Sequence, residues 1–400
     1  MRSARFVAAA ASIGALGACA AIVGLEDKEA YPADAGDQDV PNLVDAPGDG
    51  PVDDGGVDVV ATGELVASGQ MGPSGVGLDS TYVYWTEETA GNIWRRTKDL
   101  SAPAELVANM QSAPRHILID AQYIYWYNAN KPPAQAGGVN TPVPVLVRAP
   151  LGGAVPEPTT PLYTNAGTQG YARFALYAGT SGPPDDTLYG VWNTVDRYSR
   201  STPAASPLRC ASSFNAPVAV AADVDFVWWV DQGTEQISRR LKTFTQTSKD
   251  PQPQPYGPPL GASVVDMCLD DSYLYLATQA GDVLGVPHGP SYDGGLGADA
   301  AVLDSGSDAA IDAGPLVNFG HVGATPAAMQ SHAGRVYLTR FTTGADGVVV
   351  VLDTSDGGVN VAATGQRDPR DLAVDAPDGG PVTVYWTNHA EGTVRRVTVP

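Results

Sequence analysis

The sequence predicts an all-β fold, a seven-bladed β-propeller of four-stranded blades closed by its N-terminal strand. Three observations carry this. Aromatic-rich runs recur at intervals of about 50 residues, the length of one blade: Tyr82 to Thr86 reads YVYWT, Tyr123 to Tyr127 reads YIYWY, Phe226 to Val230 reads FVWWV, and Thr383 to Thr387 reads TVYWT. Tyr273 to Ala277, Tyr189 to Asn193 and Val336 to Thr339 are diverged copies. The chain holds 45 Gly and 33 Pro among its 400 residues, which interrupts it too often for long helices. Finally, four short runs bounded by turn residues make up each repeat, as expected of a blade.

The repeats share an internal order. An opening Pro leads an alternating run that ends in Asp, as in Pro73 to Asp79, Pro114 to Asp120, Pro217 to Asp223 and Pro369 to Asp375. An Asp lies six residues before the anchor in the pairs Asp79 and Trp85, Asp120 and Trp126, Asp223 and Trp229, and Asp270 and Leu276. Recurrence makes this Asp a turn residue, since its carboxylate can hold backbone amides two residues on. The Trp and Tyr stripe reads as packing between blades. A third run carries arginines (Ile93 to Arg96, Ile237 to Arg240, Val394 to Arg396), expected to lie over that packing and meet carboxylates of a neighbouring blade. A fourth run precedes the next Pro.

The folded part begins with a fourth-type run, Glu64 to Ala67, and ends with a third-type run, Thr393 to Val399. One blade must therefore take its outermost strand from the N-terminal side, which removes an open sheet edge.

Upstream, the sequence reads as an address followed by a tether. Arg2 and Arg5 precede an apolar run from Phe6 to Ala18, too short to span a bilayer but suited to a secretory signal. Leu16-Gly17-Ala18-Cys19 resembles the bacterial lipobox, which implies lipidation of Cys19, export and anchoring to the cell envelope; an ordinary signal peptide is the alternative. Ala20 in place of an Asp leans toward the outer membrane. Residues 1–18 are thus expected to be a lipoprotein signal peptide, 19–58 an acidic disordered linker, and 59–400 the propeller. The linker's Asp-rich, aromatic-poor composition cannot bury enough apolar surface to fold, and it lacks the spacing of a calcium loop. A stretch from Ser291 to Gly314 has similar composition and reads as a loop insertion.

Tyr84-Trp85-Thr86 and Tyr385-Trp386-Thr387, each leading to a Gly turn and an Arg strand, resemble the YWTD repeats of low-density-lipoprotein receptors and, more loosely, TolB-like and NHL propellers. The resemblance implies the architecture. Glu87 and Asn388 stand where the receptor motif has Asp, and the repeats here number seven against the receptor module's six.

In a propeller, equivalent positions at the start of the innermost strands converge around the central channel. Here they include His116, Arg173, Asp266 and Asp371, with Arg115 and Arg370 one position earlier. These six residues are the candidate ligand-binding mouth, of a kind that would take a small polar or charged ligand. The bland alternative is a set of interblade ion pairs. A net charge of −21 counts against a nucleic-acid surface. No GxSxG, HExxH or Walker motif is present, and lactonase-type propellers use an inner Glu that these aligned positions lack. No cofactor, metal site or catalytic residue is therefore expected. Cys210 and Cys268 fall on an outer strand of blade 3 and an inner strand of blade 5, too far apart to bridge. The expected function is a monomeric, envelope-anchored binding or scaffold module for a protein, glycan or small molecule. Alternatives are a propeller hydrolase or lyase working at the mouth, and a purely structural envelope protein.

Overall fold

A computed structural model of the chain describes residues 62–129, 143–151, 159–165, 173–175, 187–191, 194–200, 207–211, 217–223, 225–242, 253–288, 315–323, 325–341, 347–377 and 379–399. All lie in the larger of two compact units, Gly56–Pro400. The signal, the linker, the insertion 291–314 and Trp192 fall outside the described residues. Among the described residues no helix is long and apolar enough to cross a membrane.

Seven separate four-stranded antiparallel sheets form a ring. Blade 1 runs through Pro73–Leu78, Tyr82–Glu87, Asn92–Thr97 and Glu105–Ala108 in simple up-and-down order. The innermost strands of blades 2 to 7 are Pro114–Ile119, Arg173–Ala175, Pro217–Ala222, Val264–Leu269, Pro326–His332 and Pro369–Asp375. Each touches the innermost strand of the next, and that of blade 7 meets that of blade 1. The ring closes as the order of runs predicts: Glu64–Ala67 pairs antiparallel with Thr393–Val399, placing Glu64 opposite Arg396 and Leu65 opposite Arg395.

The core is divided among the seven interfaces between blades. Tyr84 and Ile93 of blade 1 pack with Ile117, Trp126 and Val147 of blade 2, and Val66 and Tyr385 of blade 7 pack with Val83 and Trp85 of blade 1. The period-two alternation of each second strand sends successive side chains to opposite interfaces. Trp85, Trp126, Trp229 and Trp386 are consequently all fully buried, each contributing on the order of 2–3 kcal/mol.

The recurrent Asp is a turn residue. Oδ1 of Asp79 accepts the N–H groups of Thr81 at 2.7 Å and Tyr82 at 2.6 Å, while Oδ2 accepts the Tyr84 hydroxyl at 2.7 Å. Asp120 repeats the arrangement with Gln122, Tyr123 and Tyr125, and Asp270 with Ser272, Tyr273 and Tyr275. In blade 4 the indole of Trp228 takes the place of the phenol on Asp223. Burial together with the adjoining carboxylate pushes the three phenols up, so they remain protonated donors.

The third-strand arginines lie over aromatic faces as expected, Arg148 above Tyr123 at 4.1 Å and Arg239 above Phe226 at 4.2 Å. Their partners match expectation only in part. Arg95 pairs with Glu105 and Arg396 with Glu64 within their own blades, while Arg200, directly after the third strand of blade 3, reaches Asp120 of blade 2 as expected. Elsewhere across the interfaces the third-strand arginines reach backbone carbonyls: Arg96 to Val66, Arg240 to Cys210, Arg148 to Arg200 and Arg396 to Lys98. A long guanidinium that crosses an apolar interface emerges beside the edge of the adjacent sheet, where carbonyls are exposed.

Candidate functional site

Six of the seven innermost strands break register at the positions singled out for the mouth. The breaks fall between Pro73 and Val76, Arg115 and Ile117, Pro217 and Ala219, Val264 and Asp266, Pro326 and Ala328, and Pro369 and Leu372. Bulges free a residue from the ladder and re-aim its side chain. His116 sits on one with φ of 47°, a left-handed conformation that costs a non-glycine residue of order 1–3 kcal/mol. Gly75 makes that approach possible, because a Cβ there would lie 2.6 Å from the His116 nitrogen.

Amides beside these breaks are taken by side chains. Asp371 of blade 7 accepts the N–H of Val76 in blade 1 at 3.2 Å, and Asp266 of blade 5 accepts that of Met329 in blade 6 at 3.0 Å. Val76 and Met329 are equivalent residues, opposite Trp85 and Leu338. Gly75 N–H donates to the Thr86 hydroxyl at 2.8 Å. Both aspartates, buried at 6% and 8% exposure, therefore join adjacent blades through backbone N–H groups.

Of the six candidate residues, four converge. His116 Nδ1 lies 3.5 Å from Asp371 Oδ2, joining blades 2 and 7. Arg370 holds Asp368 in a bidentate pair at 2.8 and 2.7 Å. Arg115 pairs with Glu88 Oε1. Between those pairs stands His389, its Nδ1 3.4 Å from Asp368 Oδ2 and its Nε2 3.7 Å from Glu88 Oε2. Arg370, Asp368, His389, Glu88 and Arg115 thus form one continuous charged network over blades 7, 1 and 2. It is partly open to solvent, the Arg115 side chain at 39% and that of His389 at 25%. Burial alone would raise the Asp368 carboxyl, but hydrogen bonds from His389 and Arg370 outweigh it and hold it at about 2. The two remaining candidates lie elsewhere: Asp266 is in blade 5, and Arg173 opens the three-residue inner strand of blade 3, opposite Val191, its side chain outside the described residues.

Glu88, Asp368 and His389 escape a reading that aligns only the strand starts. Glu88 and His389 each directly follow a second strand, Tyr82–Glu87 and Val382–Asn388, so they occupy equivalent positions in adjacent blades; that equivalence is a signal present in the sequence. A second unread signal is Gln three residues before the opening Pro. Gln70, Gln111 and Gln366 each accept the indole N–H of the anchor Trp, at 2.7, 3.0 and 2.8 Å.

Among the described residues, no group of three or more His, Cys, Asp or Glu side chains is placed to hold a metal ion. The amides of Val76, Met329 and Gly75 are engaged by Asp371, Asp266 and Thr86. The network's chemistry is that of paired acids and bases: two guanidiniums, two carboxylates and an imidazole able to accept or deliver a proton.

No protein-family model matches the chain, and no curated protein matches it. Solved structures do. Virginiamycin B lyase from Staphylococcus aureus is similar at 12% identity and a TM-score of 0.56, over 84% of this chain and 98% of that one. A catalytically inactive histidine-to-alanine variant of the same lyase, with quinupristin, gives 12% identity and a TM-score of 0.54 over 84% and 98%. The Cps50 (Swd1) β-propeller domain of Myceliophteria thermophila gives 8% and 0.57 over 82% and 97%. At these identities the likeness establishes one thing about the chain, that it carries a β-propeller.

Proposed function

We propose that this protein is an exported, lipid-anchored β-propeller that captures a small polar ligand, without turnover, at the channel mouth over blades 7, 1 and 2. The observation that carries the reading is the network from Arg370 through Asp368, His389 and Glu88 to Arg115, because five charged or titratable side chains from three blades meet there while open to solvent. Each guanidinium is already balanced by a carboxylate, so the fitting ligand offers both donors and acceptors and exchanges with internal pairs. Asp266 stands apart as an interblade support.

Screening sugars, amino acids and small carboxylates by thermal shift tests this. Stabilisation of the wild-type protein that is lost in Arg115→Ala/Arg370→Ala, with the compound recovered unchanged, supports capture. The absence of any stabilising compound favours a structural envelope role. Anchoring is tested separately: Cys19→Ser is expected to abolish palmitate labelling and free the protein from membranes, and retained labelling overturns it.

A second reading is favoured by the placement of His389. An imidazole held by one carboxylate and facing a second is equipped for proton transfer, and similar propellers include a lyase. Recovery of a cleaved or eliminated product, lost in His389→Ala, replaces capture with catalysis.

A further inference from the structure

His389 is placed between two carboxylates that belong to different blades. Asp368 precedes the inner strand of blade 7, and Glu88 follows the second strand of blade 1. A neutral imidazole has a single N–H and serves one of them; an imidazolium has two and serves both. Glu88 Oε2 is buried without a hydrogen-bond partner, although His389 Nε2 stands 3.7 Å away. Its other oxygen is committed to Arg115. The ring sits close over Gly72, which has φ of 68° and where a Cβ would lie 2.9 Å from Nε2.

The backbone around the imidazole connects the same two blades. Residues 70–72 lie between the turns that follow the second strands. Gln70 N–H donates to the Gly392 carbonyl of blade 7 at 2.9 Å, while Glu88 and Thr89 of blade 1 donate to Gly72 and Met71 at 2.8 and 3.1 Å. His389 N–H in turn donates to the Asp368 carbonyl at 3.0 Å.

We infer that His389 is a proton-operated latch, whose imidazolium form bridges Asp368 and Glu88 and clamps the mouth between blades 7 and 1. The idea is independent of whether a ligand is captured there. Every charged group facing the ring favours the bridged form or is spent elsewhere. Asp368 and Glu88 attract the imidazolium; Arg370 and Arg115 are neutralised on those same carboxylates. Glu391 in the same turn is paired with Arg395, and Glu87 is engaged by the Met71 amide, Asn92 and Trp94. The latch is closed while the ring carries both N–H groups and released when it keeps only one.

Hydrogen exchange of the full chain, read by mass spectrometry on peptides covering 70–76 and 86–92 and corrected for the intrinsic pH dependence of exchange, tests this. A charge-assisted bridge is stronger than a neutral one, so protection in the wild type should fall about fivefold between pH 5.5 and 8. His389→Gln, which keeps one donor and one acceptor, should give equal protection at both values. Glu88→Gln, which removes the buried carboxylate, should flatten the response as well, and it serves as the test should His389→Gln fail to fold by circular dichroism. Peptides across the Asp99 turn, held by Ser101, should be indifferent to pH throughout. Equal wild-type protection at both pH values, or an unchanged fall in His389→Gln, overturns the latch.

Discussion

The Asp371 carboxylate accepts the backbone N–H of Val76 at 3.2 Å, carrying a hydrogen bond from the last blade to the first. Its second oxygen accepts the N–H of Leu372 at 3.0 Å. A residue aligned with a ring of ligand candidates is thereby also a structural tie. Asp371→Ala leaves a buried amide unsatisfied and should cost about 1–3 kcal/mol, read from the midpoint of chemical denaturation. Asp371→Asn keeps an acceptor and should cost less. Equal losses in the two variants would mean that charge, rather than the bond to Val76, matters.

Ring closure makes a separate prediction. Val66 is fully buried against Val83, Trp85 and Tyr385, so Val66→Ala should cost about 1–3 kcal/mol. Removing residues 1–67 bares the edge of Thr393–Val399, and exposed strand edges template association. The truncated protein should elute as oligomers in size-exclusion chromatography, whereas a chain beginning at residue 59 should remain a monomer.

Asp368 sets a limit at low pH. Its carboxyl is held at about 2 in the folded protein, against an ordinary value of 3.8. A depressed carboxyl contributes stability above its unfolded value and loses it as pH falls toward its folded value. The contribution, about 1 kcal/mol after allowance for solvent screening, is therefore present at pH 5 and vanishes between about pH 4 and pH 2. Asp368→Asn should remove this part of the acid-unfolding profile and leave stability at pH 2 nearly unchanged.

The thiols of Cys210 and Cys268 are free and both are pushed up by burial. Thiolate, not thiol, reacts with alkylating agents. In Cys19→Ser protein, iodoacetamide at pH 8 should label neither under native conditions within minutes and both in guanidinium. Rapid native labelling of one would reveal local opening of blade 3 or blade 5.

The fold was legible because blades 1, 2 and 4 state their boundaries chemically and the others repeat part of the pattern. Pro opens the inner strand, Asp closes it by holding two amides, and the Trp stripe marks the strand buried on both faces; Glu64 to Ala67 and Thr393 to Val399 betray closure by being a fourth and a third run with no partners in sequence. The mouth was legible only in part. His116 and Asp371 could be aligned from the opening Pro, and the structure places them 3.5 Å apart. What alignment could not supply was the bulge, which decides whether a side chain faces the channel or an amide, and so Asp266 meets Met329. Glu88 and His389 follow the second strands at equivalent positions, and an alignment confined to the starts of the inner strands passes over them. Arginine partners were foreseen only in part, Arg200 meeting Asp120 of the neighbouring blade while others reach carbonyls, because the side chain's reach across an interface is set by sheet geometry that residue order does not encode.

Glu64 and Arg396 are joined by a hydrogen bond of 2.7 Å although 332 positions separate them along the chain. Pairings that distant are slow to form, since the intervening loop must first be gathered. A ribosome emitting this polypeptide delivers the seventh blade's outermost strand, Glu64–Ala67, ahead of all the others and its partner Thr393–Val399 after them. The circle can therefore be sealed only once Thr393–Val399 has been made, and until then blades 1 and 7 each present an unfinished flank to whatever chaperone escorts the chain.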